Sequence, residues 1–420
     1  MLNKVIVILL LVSTSLSAQD VYLKLTTGQR KKFKIVLSFY PEKTKEIEHM
    51  KLVHDVRTIV RNDLNFSLYF GDIVDTGFIG EKIDFPFWAS LEVSAFIKGE
   101  ILFKKEDTLA HIEIYDVGSR RKICSNKYRI QESTFRKICH RISDDIIKSL
   151  TGEDGVSQTR IVFSFKRGPD KELAIVDYDG HEFKQLTKGR GLYLSPKWIP
   201  PRSDAITYAT YKREDIWLYK FELSTGKLSP LSQEKGVNIG GNWALTGKEF
   251  ALTLTKEGNP EVYVRMGNKL RRLTVHDAID ASPTWSPNGR EIAFVSNRSG
   301  SPQIYIMDKD GTNVRRLTFK GTYNTSPAWS PKGDRIVYVS REVDGTFQVH
   351  SILVNGEGDT YLTWEGNNED PSWSPDGLHI CFTSSRNGKS ELFIMHWDGS
   401  GQRSIGSFGE GCYTPNWSTK

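Results

Sequence analysis

The sequence predicts an α+β (α/β) N-terminal domain followed by an all-β six-bladed β-propeller, closed by its own C-terminal strand. Three observations carry this prediction. Tryptophans recur at positions 198, 243, 285, 329, 373 and 417, spaced 45, 42, 44, 44 and 44 residues apart. Around them runs a repeated motif, best preserved as Ser282-Pro-Thr-Trp-Ser-Pro-Asn-Gly289, Ser326-Pro-Ala-Trp-Ser-Pro-Lys-Gly333 and Asp370-Pro-Ser-Trp-Ser-Pro-Asp-Gly377. The repeats open at Ile161-Val-Phe-Ser-Phe165 without a tryptophan segment in front, and close on Thr414-Pro-Asn-Trp-Ser418 without a blade behind it. A fixed period in the forties, filled with short β-type runs, is the signature of propeller blades. The orphan last segment then supplies the strand that the first blade lacks, which hides both edges of the ring.

Ahead of the repeats, the first residues read as an export signal. Lys4 is a minimal positive region, Val5 to Val12 is an unbroken apolar core, and small residues follow from Ser13 to Ala18. That core is far shorter than the ~20 residues that span a bilayer. Residues 1–18 are therefore expected to be a cleaved signal peptide, cut after Ser17 or Ala18, and the mature protein is expected in the periplasm. Charge is nearly balanced, with 57 basic and 51 acidic residues and a net +6. The small cluster Arg30-Lys31-Lys32 with Lys34 reads as solvated surface, so nucleic acid is not an expected partner.

Residues 19–155 form the expected N-terminal domain. Phe33 to Phe39 is a strand by its β-branched and aromatic content, ended by Tyr40-Pro41. Ile47, Met50, Val53, Val56, Val60 and Leu64 follow helical spacing. A second strand is expected from Phe66 to Phe70, then alternating strands from Val93 to Ile130. A last helix runs from about Ser133 to Leu150, with a stripe of Phe135, Ile138, Ile142 and Ile146, and Gly152 as its cap. His140 and Asp144, four apart on the far face, are expected to be a solvated pair.

Residues 156–420 are the expected propeller. Each unit holds a Trp strand, a Ser-Pro-x-Gly turn, a strand such as Ile292 to Ser296, an alternating strand such as Gln303 to Met307, and a short Arg-Leu-Thr segment. Proline presets φ at the second turn position and glycine admits a left-handed fourth position. The Trp is expected to pack against the neighbouring blade. Acidic turns at Asp177-Tyr-Asp-Gly180, Asp308-Lys-Asp-Gly311 and His396-Trp-Asp-Gly399 mimic calcium loops. An EF-hand needs Glu at its twelfth position, where Lys188 and Phe319 stand, so hairpin turns are expected instead. Cys139 and Cys381 read as buried free thiols; with Cys124 and Cys412 they make no CxxC pair, and no metal is expected. The N-terminal domain holds no G-x-S-x-G elbow. No catalytic site and no cofactor are expected.

The repeat Ser-Pro-x-Trp-Ser-Pro-x-Gly, the junction His140-Arg-Ile-Ser-Asp144 through Leu150-Thr-Gly152, Gly155 and Thr159-Arg-Ile161, and the segment Val21 to Gly28 resemble the TolB family of periplasmic propeller proteins in the Tol-Pal envelope system. Trp198-Ile-Pro-Pro201 and Trp243-Ala-Leu-Thr-Gly247 depart from the motif. The resemblance implies a non-enzymatic, monomeric scaffold that supports outer-membrane integrity and constriction at division. It implies that one propeller face binds the peptidoglycan-associated lipoprotein Pal. It also implies that the N-terminal segment, Asp20, Val21 and Tyr22, contacts a TolA-like inner-membrane protein. Residues just before each Trp strand are expected to ring one channel mouth: Tyr193, Val237, Asn238, Asp280, Ala281, Asn324, Thr325, Glu369, Asp370 and Tyr413. A propeller enzyme or sensor holding a peptide, glycan or small molecule in the channel is the alternative class. Sequencing the N-terminus of the mature protein should find the first 17 or 18 residues removed; a soluble cytoplasmic product that keeps Met1 would overturn the export reading.

Overall fold

A computed structural model of the chain describes residues 32–42, 46–76, 82–104, 107–189, 191–212 and 214–420. The expected signal peptide, and Asp20, Val21 and Tyr22, lie outside these residues. The first domain comprises β1 (Phe33–Pro41), α1 (Ile47–Phe66), β2 (Phe70–Thr76), α2 (Phe85–Ser90), β3 (Ala95–Phe103), β4 (Thr108–Asp116), β5 (Arg121–Ile130) and α3 (Phe135–Thr151). Its sheet has the order β2-β1-β3-β4-β5, with β1 parallel to both neighbours. A strand flanked on both sides and covered on both faces needs apolar residues almost throughout. In β1, Ile35, Leu37 and Phe39 meet α1 and α3 through Val56, Val60, Leu64, Cys139, Ile142 and Ile146. Val36 points the other way, into a smaller cluster with Trp88 of α2 and Phe96.

Two expectations fail here, for identifiable reasons. The second strand begins only at Phe70, because α1 continues through Phe66. Ile47 and Met50 lie on α1 as their spacing predicts, and are 86% and 52% exposed. His140 and Asp144 are not a solvated pair: both are 1% exposed, and neither bonds to the other. The helix α2 was not anticipated, although its start is written in the sequence. Asp84 accepts a hydrogen bond from the Phe87 amide at 3.1 Å, with proline in the first turn. Gly152, as expected, caps α3 at φ 75°.

The propeller is six four-stranded sheets. We number the blades I to VI. Their innermost strands are Cys412–Trp417 in blade I, Tyr193–Trp198, Asn238–Trp243, Asp280–Trp285, Asn324–Trp329 and Asn368–Trp373 in blades II to VI. Each tryptophan sits in the apolar layer between its own blade and the one before. Trp285 packs with Val262 and Val264 of blade III, and Trp373 donates its indole N–H to the Ala328 carbonyl of blade V at 3.0 Å. The acidic turns are hairpins, as at Asp308, whose carbonyl accepts from the Gly311 amide. All four cysteines are free thiols; Cys124 is half-buried and the other three are buried. Among the described residues no helix is long and apolar enough to cross a membrane.

The two domains meet on one propeller face. Phe66, the last residue of α1, stacks on His379 with ring centroids 3.9 Å apart, and its carbonyl accepts from His379 Nε2 at 2.7 Å. Asp63 accepts from Tyr178 Oη at 2.5 Å and pairs with His140 Nδ1 at 2.8 Å. His379 follows the turn after Trp373, and Tyr178 follows the third strand of blade I. Both lie at the end of the propeller toward which the inner strands run. The starts of the inner strands therefore form the opposite face, which the described residues of the first domain leave uncovered.

Closure is as the sequence predicts: Cys412–Trp417 pairs antiparallel with Arg160–Arg167. Asn416 spans three blades, accepting from the Trp198 amide at 2.8 Å and donating to Ser372 Oγ at 3.2 Å. Deleting residues 413–420 removes this pairing together with the buried Trp417. The loss should exceed the ~3–5 kcal/mol typical of truncating one buried aromatic. Urea unfolding should lose cooperativity or shift strongly to lower midpoint, and an unchanged transition would refute the closure.

Candidate functional site

Five of the six inner strands carry the same local irregularity, and it is what shapes the channel. In blade IV the pairing register jumps between Ala281 and Thr284, skipping Ser282-Pro283. Proline has no amide hydrogen to give the ladder, so a bulge is the natural way to admit it. The residue before it takes a left-handed conformation: φ is 49° at Ser195, 52° at Ser282, 51° at Ser326, 54° at Asp370 and 49° at Thr414. Such conformations cost non-glycine residues of order 1–3 kcal/mol. In return, the bulge turns these five side chains into the channel, where they line a cavity of about 280 Å³. Blade III has Gly240-Gly241 at this level instead. A Cβ on Gly241 would lie 2.4 Å from the Pro283 carbonyl oxygen, so the inter-blade approach there requires glycine.

A second repeated device sits at the uncovered mouth. The threonine of the Leu-Thr segment accepts from the third strand and donates to that strand's first side chain. In blade IV, Ile304 N donates to Thr318 Oγ1 at 2.9 Å and Thr318 donates to Gln303 Oε1 at 2.8 Å. Asn324, which opens the next inner strand, donates to the same Gln303 oxygen at 2.9 Å and to the Lys320 carbonyl at 2.8 Å. Blade V repeats this with Thr363, Gln348 and Asn368. Blade III uses Thr274 and Glu261, and there Asp280 instead pairs with Arg298 at 2.7 Å. Asn238 accepts from Ser232 Oγ at 2.7 Å and donates to the Glu234 carbonyl at 2.7 Å.

The expected ring is thereby corrected in part. Asn238 and Asn324 are fully buried clasps that hold the connections between blades, and Asp280 is fully buried in a pair with Arg298 of its own blade, so none of the three presents a side chain to a partner. The outward-facing level is one residue later. Ala281, Thr325, Glu369 and Tyr413 are spaced by 44 residues and sit at equivalent register positions; Glu369 is exposed and the other three are half-buried. Val237 and Tyr193 are half-buried at the same mouth, where Tyr193 packs edge-on to Tyr208. Asp370 belongs to the level below, among the channel-lining bulge residues. Sequence reasoning missed its companions Ser195, Ser282, Ser326 and Thr414, although the Ser-Pro dipeptide was their signal.

The electrostatics of the mouth follow from this layering. Loss of water raises the Glu369 carboxyl above its ordinary value, and the neighbouring Asp370 charge adds to the shift. Lys171 holds its ammonium 3.9 Å from the ring centre of Tyr413, within the range of a cation–π contact. Among the described residues no group of three or more His, Cys, Asp or Glu is placed to hold a metal ion. The geometry offers a polar rim around a narrow opening, floored by small hydroxyl side chains.

The sequence models of two domain families match the chain. That of the TolB beta propeller domain covers residues 147–420, and that of the TolB amino-terminal domain covers residues 21–123. The Tol-Pal system protein TolB of Rickettsia felis is 31% identical over 219 residues, 49% of this chain and 49% of that protein. The same-named protein of Desulfotalea psychrophila is 28% identical over 253 residues, 60% of this chain and 57% of that one. These alignments thus span about half the length of the curated relatives. The crystal structure of TolB from Acinetobacter baumannii superposes with a TM-score of 0.78 at 27% identity, covering 93% of this chain and 97% of the other.

The clasps should behave as stability elements. Asn324→Ala or Asp280→Ala strands a buried partner and should each lower unfolding stability by about 1–3 kcal/mol, measured by urea denaturation. Effects within about 0.5 kcal/mol, the range of ordinary surface substitutions, would show that the clasps hold nothing.

Proposed function

The chain belongs to the TolB family, and from that premise we propose that it is a non-enzymatic protein-docking scaffold of the Tol-Pal envelope system in the periplasm. The observation that carries this reading is the uncovered propeller mouth. The described residues of the N-terminal domain meet the other face, through Phe66 and Asp63, and leave this one open. Its rim combines aromatic, small and acidic side chains at Tyr193, Val237, Ala281, Thr325, Glu369 and Tyr413, with Asp370 on the level beneath them. Such a mixture suits a protein interface with a polar edge. A Pal-like peptidoglycan-associated lipoprotein docks here. The N-terminal segment with Asp20, Val21 and Tyr22 engages a TolA-like inner-membrane protein. Holding both partners links the two membranes and supports outer-membrane integrity and constriction at division.

The buried Asp280–Arg298 pair makes Asp280 an unsuitable site for testing binding, because its replacement disturbs the fold. Ala281 and Thr325 are half-buried at the mouth and bear no such burden. The double variant Ala281→Arg/Thr325→Arg should weaken binding to the Pal-like protein by about tenfold or more, roughly 1.4 kcal/mol, with the melting temperature near that of the unaltered chain. Calorimetric titration of the purified pair decides it. Undiminished affinity would move the docking site off this mouth.

A further inference from the structure

Two charges stand alone inside the channel. Of the described residues that line the 280 Å³ cavity, Lys197 and Asp370 are the only ionisable ones. Lys197 takes, in blade II, the inward position that Asn242, Thr284, Ala328, Ser372 and Asn416 fill elsewhere. Its ammonium has neither a hydrogen-bond nor an ion-pair partner among the described residues. Asp370, across blade I from it, accepts one hydrogen bond, from the Thr414 amide at 3.2 Å. Loss of water disfavours both charged forms, lowering the lysine and raising the aspartate from their ordinary values, while each charge partly offsets the other's penalty. Both side chains are half-buried, and a charge partly removed from water without a close partner is costly. Two such groups, of opposite sign and in one cavity, form an unfilled recognition pattern.

We propose that the channel binds a small zwitterion of amino-acid or dipeptide size, its carboxylate on the Lys197 ammonium and its ammonium on the Asp370 carboxylate. The cavity lies just below the ~300–1,000 Å³ usual for small-molecule sites, which suits a ligand of a few heavy atoms better than a folded segment. The bulge hydroxyls of Ser195, Ser282, Ser326 and Thr414 surround the two charges with groups that both donate and accept. A simple anion drawn to Lys197 meets repulsion from Asp370, and a simple cation meets the reverse. Only a ligand carrying both signs satisfies both groups, and a dielectric inside the channel lower than that of bulk water enlarges that difference. Such a ligand lies below the mouth, so this site is separate from the protein-docking rim.

Calorimetric titration of the full chain with glycine and with dialanine, against sodium acetate and methylammonium chloride at matched ionic strength, tests the proposal. At least one zwitterion should bind saturably, about tenfold or more tighter than either single-charge probe. Lys197→Met and Asp370→Asn should each lose that preference. The absence of saturable zwitterion binding up to about 10 mM, equal binding of all four probes, or full binding by both folded variants would overturn it. Should a variant fail to fold by circular dichroism, the ranking of the four probes on the unaltered chain decides alone.

Discussion

The propeller depends on one pairing, that of Cys412–Trp417 with Arg160–Arg167. A ring of sheets has no continuous backbone holding its first and last blades together, so an open ring would expose two apolar blade faces. Shared strands solve this by making the chain's distant halves one ladder. The tail adds local bonds: Arg160 N donates to Ser418 Oγ at 2.9 Å, and Trp417 Nε1 donates to Thr159 Oγ1 at 2.7 Å. Both bonds fall beside the linker from α3, so the closure also fixes where the N-terminal domain leaves the ring.

From that closed ring the two repeated devices follow in sequence. The Leu-Thr clasp ties the outer edge of one blade to the start of the next inner strand at Asn324 and Asn368, which sets the height of those strands at the mouth. The Ser-Pro bulge then acts at a constant depth below it. Neither device would work in an open ring, because a bulge with unfavourable φ persists only where its surroundings over-determine it. The channel's polar lining is thus a consequence of inter-blade packing, with chemical variation confined to single positions such as Lys197 and Asp370.

Much of this was legible in the sequence. The 44-residue tryptophan period carried the blade count, and the unmatched ends carried the closure, because both are long-range periodic signals. What sequence reasoning misjudged were single-residue phases. Asn324 and Thr325 are adjacent and both polar, yet one is a buried clasp and the other faces the mouth. An irregular bulge shifts the inward–outward alternation, so period-2 reasoning loses phase there. The N-terminal domain shows the other limit. Apolar spacing identified α1, but could not say that its last turn would run on to Phe66 and into the propeller.

That overrun explains why His140 lies buried against Asp63 where a lone helix would display it, while the linker at Ser157 and Gln158 covers Asp144. Burial works against a charged imidazole, yet the Asp63 carboxylate outweighs it and holds His140 above its ordinary value. Asp144 accepts from the Ser157 amide at 2.9 Å and from Gln158 Nε2 at 3.0 Å, fixing the linker that enters blade I. A polar helix face of this kind gains little from burial alone, since desolvation consumes most of the attraction. Its effect is directional: Asp63 satisfied by Tyr178 and His140 together admits one orientation of α1 and α3 on the ring. An apolar contact of the same area would permit sliding, and the uncovered mouth would then have no fixed position relative to the first domain.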